Sequence, residues 1–212
     1  MNPIMDPESS SWSALLREDF PFPWPRPRPR PNGISQAALN LNNQMRELWE
    51  QHGAWTRMAI MSIVFNLPDE QATLRRLLRN PSDFADALLP FYGKRNAREF
   101  DRLLTDHLAI AADLVRAAQG GNARRVEQLD RRWHQNAREI AAFFARINPF
   151  WSERRWRDML FEHLRQVTQE AVTMLQGQFE RSVRTYDAIE TQSLGMANEM
   201  WRGIVRQFPR RF

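Results

Sequence analysis

Leu-Leu-Thr-Asp-His, at residues 103–107, is the stretch that decides the fold, and two other stretches resemble it: Leu-Trp-Glu-Gln-His at residues 48–52 and Met-Leu-Phe-Glu-His at residues 159–163. Each places a histidine on the apolar face of a predicted helix, four residues after a bulky apolar side chain. The histidines follow one another by 55 and 56 residues, and a helix-breaking segment lies about fourteen residues after each one. This regular spacing predicts three similar helices that pack side by side.

The rest of the chain after residue 34 also has helical periodicity, and no segment of useful length alternates with period two. We therefore predict an all-α fold, an antiparallel helical bundle of about five long helices and two short ones. Ser35, Asn122 and Ser152 are expected to cap long helices, and Asn96 is expected to begin another. The short helices are expected at residues 69–79 and 82–91. The spacing of the histidines further predicts three helical hairpins, at about residues 35–93, 94–149 and 150–208.

Residues 1–34 form a predicted N-terminal arm, which leaves residues 35–212 for the bundle. Prolines alternate with arginines over residues 25–31, and alternating prolines prevent a helix and favour an extended, polyproline-like chain. The positive charge of this stretch comes from Arg26, Arg28 and Arg30. These arginines recruit a protein partner or an anionic surface in one interpretation, and belong to a solubilising spacer in the other. One or two helical turns are expected within residues 11–20.

The composition excludes several functional classes. The 212 residues contain no cysteine, which excludes disulfides, thiolate metal sites and cysteine nucleophiles. Neither a secretory signal nor an apolar run of membrane-spanning length is visible, so we expect a cytoplasmic protein without a membrane span. The net charge of +5 is modest and the arginines alternate with Asp and Glu, so no nucleic-acid partner is expected.

The three histidines on apolar faces are the candidate functional residues. Their helices are predicted to run in the same direction, and each histidine lies at a similar distance from the following turn, so His52, His107 and His163 are expected at one height in the bundle. Three neutral imidazoles, completed by a carboxylate or water, suit Zn²⁺ or non-haem iron. The polar residues expected near that height as hydrogen-bond partners are Asn136, Asp187, Glu190 and Gln192. The first three of these are the predicted supporting groups or further ligands. In the alternative interpretation each histidine is a core polar group with a private hydrogen-bond partner.

No catalytic motif accompanies these histidines. The Glu-x-x-His of di-iron bundles, His-Glu-x-x-His, phosphate-binding and dinucleotide-binding loops and the Gly-x-Ser-x-Gly elbow are all absent from the sequence. Two functions of different classes are therefore predicted. The first is a bundle that binds a metal ion or another small ligand, and the second is a non-catalytic scaffold whose basic arm recruits a partner. A bundle that loosens in acid is a variant of the second, because histidine titrates near neutral pH.

Five stretches carry a resemblance to a known family: residues 55–57, 106–115, 136–143, 156–160 and 207–212. Together they resemble an uncharacterised family of short helical proteins from spore-forming Gram-positive bacteria, over roughly residue 45 to the end. Members of that family often carry the names acetylglutamate kinase or glycosyltransferase. Those names belong to α/β folds with glycine-rich loops, which this sequence does not have. The resemblance implies an all-helical fold and implies neither an activity nor site residues.

Overall fold

The computed structural model describes residues 33–212, which form six α-helices and a final 3₁₀ turn. The helices are α1 Gln36–Val64, α2 Glu70–Leu77, α3 Asn80–Gln119, α4 Ala123–Ile147, α5 Glu153–Leu175 and α6 Phe179–Gln207, and the 3₁₀ turn is Pro209–Arg211. Residues 33–212 contain no β-strand, so the predicted all-α fold is confirmed. None of these helices is both long enough and apolar enough to cross a membrane. Arg26, Arg28, Arg30 and the helical turns predicted for residues 11–20 lie outside the described residues.

Three helices begin at the residues that the sequence predicts, because a side-chain oxygen there accepts a hydrogen bond from a free backbone N–H of the first turn. The oxygen–nitrogen distances are 3.1 Å from Ser35 to Ala38, 3.1 Å from Asn122 to Arg125 and 3.3 Å from Ser152 to Arg155. These caps fix where α1, α4 and α5 start. They therefore also fix the position of every later side chain along those helices.

Helix α3 departs from the prediction, because it is one kinked helix where the sequence predicts two. Asn80 and Pro81, expected to stop a helix, instead begin α3, and proline is tolerated in a first turn since its missing N–H would have no partner there. The kink is at Gly93, whose φ of 73° and ψ of 167° are accessible mainly to glycine. Asn96 is not a cap: its side chain donates back to the carbonyl of Tyr92 at 3.0 Å.

The helices form a closed bundle in which α1 packs against α3, α5 and α6, while α3 packs on α4, α4 on α5 and α5 on α6. Two polar contacts link α1 to the last two helices. Arg57 forms an ion pair with Glu170 of α5, and the indole N–H of Trp201 on α6 donates to the carbonyl of Ala38 at 2.8 Å. Helices α1, α3 and α5, which carry the three histidines, therefore surround a common interior.

The turn between α4 and α5 is fastened to α6 by Trp151. This indole is 2% exposed and donates to the carbonyl of Glu199 at 3.1 Å. It lies directly on the α6 backbone at Gly203, where a Cβ atom would overlap the ring. Phe144 then packs between Trp151 and Trp156, with ring centres 5.2 Å and 4.4 Å away. This aromatic group closes one side of the interior that the histidines occupy.

Candidate functional site

The side chains of His52, His107 and His163 line one small enclosed cavity inside the bundle. Each histidine is 2% exposed, and the ring centres of His52 and His163 lie 5.6 Å apart. The cavity has a volume of about 10 Å³. The rest of its wall is aromatic or aliphatic: Trp49, Phe100, Leu104, Ile140, Phe144 and Leu160. The structure thus brings one imidazole from each of α1, α3 and α5 to the same place.

A side-chain amide holds the ring of His107 from behind. Nδ1 of His107 is 2.8 Å from Oδ1 of Asn136, and Nδ2 of Asn136 donates to the carbonyl of Leu103 at 3.0 Å. That carbonyl belongs to the residue one helical turn before the histidine. We call this pair of bonds an amide clasp: one amide accepts from the ring and donates to the backbone of the helix that carries the ring.

The same amide clasp holds the other two histidines, and in each case the amide follows its histidine by 28 or 29 residues. In the second clasp, Nδ1 of His52 lies 3.1 Å from the amide oxygen of Asn80, and Asn80 donates to the carbonyl of Leu48 at 3.0 Å. In the third clasp, Nδ1 of His163 lies 3.1 Å from the amide oxygen of Gln192, and Gln192 donates to the carbonyl of Met159 at 2.8 Å. Leu48 and Met159 again precede the histidine by one turn. The three clasps are therefore copies of one arrangement.

The clasp determines which ring nitrogen carries the proton. A backbone carbonyl can only accept, so the NH₂ group of each amide must face the carbonyl and its oxygen must face the ring. Nδ1 is then the protonated nitrogen and donates to the amide oxygen. Nε2 keeps its lone pair and is the ring nitrogen that the clasp does not engage. This is the same arrangement by which a hydrogen-bond partner fixes the tautomer of a metal-binding histidine.

Burial keeps the three rings uncharged. Desolvation lowers the pKa of His52 to about 4, against the opposing effect of its hydrogen bond to Asn80. Desolvation is the larger cause, and together with repulsion from the neighbouring histidines it lowers the pKa values of His107 and His163 to about 3. All three imidazoles are therefore neutral at pH 7, which is the form that binds a metal ion.

Residues 33–212 do not contain three or more His, Asp or Glu side chains placed close enough to hold a metal ion as they stand. Two imidazoles bound through Nε2 to one tetrahedral Zn²⁺ have their ring centres roughly 5 to 5.5 Å apart. The observed 5.6 Å between His52 and His163 is slightly larger. His52 and His163 would therefore have to move closer by a few tenths of an ångström to share one ion, and His107 lines the same cavity.

The polar residues expected around the histidines are only partly those that the structure places there. Asn136 holds His107, and Gln192 holds His163. Asp187 and Glu190 are exposed on α6, and the rings hydrogen-bond to other side chains, so the expected role of these two residues as supporting groups or ligands must be corrected. Asp187 and Glu190 are five and two residues before Gln192, which turns them away from the side of α6 that faces His163.

Sequence reasoning missed Asn80, which it treated only as part of a helix stop. Asn80 is 0% exposed and completes the clasp of His52. A usable signal was present, because Asn80, Asn136 and Gln192 follow one another at intervals of 56 residues, close to the spacing of the histidines. A carboxamide at the same offset from each buried histidine indicates a repeated hydrogen bond.

A second buried polar group, also missed, joins α1, α5 and α6. Glu170 is 1% exposed and pairs with Arg57, which also donates to the hydroxyl of Ser182 at 3.3 Å and lies over the ring of Tyr186 at 5.0 Å. Burial raises the pKa of Glu170 to about 7, although the neighbouring guanidinium acts in the opposite direction. This group fastens α1 to the last hairpin.

Comparisons of the chain with protein-family models, with curated proteins and with solved structures found no match.

Proposed function

We propose that this protein binds one transition-metal ion, Zn²⁺ or Fe²⁺, through the Nε2 atoms of His52, His107 and His163. The observation that carries the proposal is the threefold amide clasp. Each clasp assigns the proton of its ring to Nδ1 and leaves Nε2 as an unprotonated donor beside the cavity that all three rings line. Three neutral nitrogen donors form a ligand set that both metals accept.

The protonation state of the rings supports the same proposal. A surface histidine releases a proton near pH 6.5 before it can bind a metal, so protons compete for the site in mildly acidic solution. Here the three pKa values lie at about 4, 3 and 3. The site would therefore be free of proton competition at neutral pH, and an ion would not have to displace any proton.

The size of the cavity limits what it can hold. A volume of about 10 Å³ is at the lower limit for one water molecule, so the space suits a single ion with no larger ligand. A single water is the competing occupant. It would donate to two of the Nε2 atoms and accept from the indole N–H of Trp49, which lines the cavity and is a buried donor without a hydrogen-bond partner in residues 33–212.

Metal titration of protein purified without a histidine tag tests the proposal. We expect uptake of about one equivalent of Zn²⁺ or Fe²⁺ after treatment with a chelator, and loss of uptake in His107→Ala. The matched control is His134→Ala, because His134 is on the partly exposed face of α4 and bonds to the backbone of Asp130. Uptake below about 0.2 equivalents of every transition metal tested would favour the alternative, in which the histidines are polar core residues of a scaffold.

A further inference from the structure

We propose that the histidine cavity communicates with solvent through the groove between α5 and α6, and that Gln192 is the side chain whose rotation opens this route. By α5–α6 groove we mean an open depression of about 590 Å³ whose lining includes Asp158, Met159, Glu162, Gln192 and Gly195. The inference rests on the proposed function for its purpose, since a buried metal site needs a path for its ion. The predicted rotation of Gln192 takes place in the metal-free protein, and the experiment below measures it in that form.

Most of the cavity wall cannot move at low cost. Phe144 and Leu160, for example, are 1% and 4% exposed and are packed into the main hydrophobic core. Displacing either would open a void among close-packed neighbours, and voids of that kind destabilise proteins by several kcal/mol. The polar clasps are different. An amide that leaves its histidine loses two hydrogen bonds, and Gln192 also loses a contact with Met196 Sδ at 3.2 Å. It recovers hydrogen bonds from water if it moves to a solvated place.

Gln192 has such a place beside it and is more exposed than the other two clasp amides. It is partly exposed, and it lines the α5–α6 groove together with Met159, whose carbonyl accepts from Gln192 in the same clasp. When the amide turns into the groove, the Nδ1–H of His163 and the carbonyl of Met159 become open to the groove water. Gly195, one turn further along α6, leaves the space free, because a Cβ atom there would meet nothing within 4 Å.

The other two clasps are more tightly enclosed. Asn80 is 0% exposed and Asn136 is 5% exposed. Asparagine also has one side-chain bond fewer than glutamine about which it can rotate. Asn136 lines the floor of a second open groove, between α3 and α4, which Ala109 also lines. The clasps are therefore expected to open in the order His163, then His107, then His52.

The test is hydrogen exchange of the three imidazole Nδ1–H protons, measured by NMR on the metal-free full-length protein at pH 7. We expect the Nδ1–H of His163 to exchange at least about tenfold faster than that of His52. If the Nδ1–H signal of His163 is absent because it exchanges too rapidly, while that of His52 is still visible, the prediction is also met. Equal rates for His163 and His52 would overturn the proposal.

A variant that fills the groove makes the test specific. Gly195→Leu places a side chain over Gln192 without changing the clasp, and it should slow exchange at His163 by about tenfold. Ala109→Leu fills the α3–α4 groove instead and is the matched control, which should leave His163 unchanged. Exchange at His163 that stays within about twofold of wild type in Gly195→Leu would exclude this route.

Metal uptake separates the two proposals. If the site binds Zn²⁺, Gly195→Leu should lengthen the half-time of uptake by a similar factor and leave the final stoichiometry unchanged. If the wild-type protein takes up no metal, the proposed function fails, while the proton-exchange result still decides whether Gln192 opens the cavity.

Discussion

Nδ1 of His107 lies 2.8 Å from Oδ1 of Asn136, and these two residues on neighbouring helices are 2% and 5% exposed. Little water can therefore reach the amide to replace either of its partners. The bond fixes the orientation of the ring, its tautomer and the relative rotation of α3 and α4. Because the bond is repeated at His52 and His163, the arrangement of the bundle around its cavity is tied to three such bonds.

Replacement of Asn136 by leucine should destabilise the protein by about 2–4 kcal/mol, since it leaves the Nδ1–H of His107 and the carbonyl of Leu103 buried without partners. Urea unfolding at pH 7 measures this loss. Gln135→Leu is the matched control, because Gln135 is the adjacent residue on the exposed face of α4, and it should cost less than about 0.5 kcal/mol. Equal losses for the two variants would contradict the importance of the clasp.

The histidines should make the metal-free protein sensitive to acid. Their folded pKa values of about 3 to 4 lie below the ordinary value of 6.5, so the unfolded state binds more protons between these limits. The stability they contribute is complete above pH 6.5 and is lost as the pH falls toward 4 and 3. Well below pH 6.5 each histidine accounts for about 1.4 kcal/mol per pH unit. Because an unfolded imidazole is only half protonated at pH 6.5, all three together account for roughly 5 kcal/mol between pH 6.5 and 5.

Glu170 acts with the opposite sign in this range. Its pKa is raised from 4.5 to about 7, so its contribution is complete below pH 4.5 and is lost as the pH rises through 7. The net loss of stability between pH 6.5 and 5 should therefore be on the order of 3 kcal/mol. Urea unfolding across this range, with a chelator present, measures it. His163→Asn should reduce the dependence by about 1.4 kcal/mol per pH unit, and an unchanged dependence would argue against a neutral buried His163.

Two glycines in helices should respond oppositely to alanine. Gly53 lies inside α1, and its Cβ would meet only the hydroxyl of Tyr186 at 4.0 Å, so Gly53→Ala should stabilise the protein by about 0.5–1 kcal/mol through helix propensity. Gly203→Ala should destabilise it by about 1–3 kcal/mol, because the new methyl group overlaps the indole of Trp151. Thermal unfolding of the two variants, measured side by side, provides the comparison. A stabilising Gly203→Ala would show that the Trp151 turn is not held against α6.

The ion pair between Arg57 and Glu170 should show strong coupling. Arg57→Met leaves a carboxylate that is 1% exposed without its cation, and we expect a loss of about 3 kcal/mol at pH 8. The double replacement of Arg57 and Glu170 by methionine should be more stable than the single Arg57→Met variant, since it removes the buried charge as well. A double-mutant cycle by urea unfolding measures the coupling, and additive effects would show that the pair does not interact.

The helical architecture could be predicted from the sequence because its signals are local. Ser35, Asn122 and Ser152 cap helices through oxygens that reach N–H groups three residues away, and such contacts depend only on the nearby sequence. The kink at Gly93 was not predictable in the same way. Proline and glycine indicate a break there, but whether α3 continues beyond it depends on packing against α1 and α4.

The site was less predictable because it depends on how neighbouring helices are rotated. Periodicity places His52, His107 and His163 on apolar faces, but it does not state which residue of the next helix faces each ring. Gln192, Glu190 and Asp187 are all polar residues of similar height on α6, and only Gln192 points toward His163. Two residues of displacement along a helix turn a side chain by more than a right angle, so a choice among the three requires the packed structure.

Helix α3 contributes to two of the three clasps, because Asn80 at its start holds His52 and its later half carries His107. The third clasp lies wholly within the hairpin of α5 and α6. Partial unfolding that detaches α3 would therefore release two rings in a single cooperative step, whereas fraying of the last hairpin would release one ring and leave the other pair in place. We therefore expect His52 and His107 to lose their clasps together, and His163, which Gln192 holds, to lose its clasp independently.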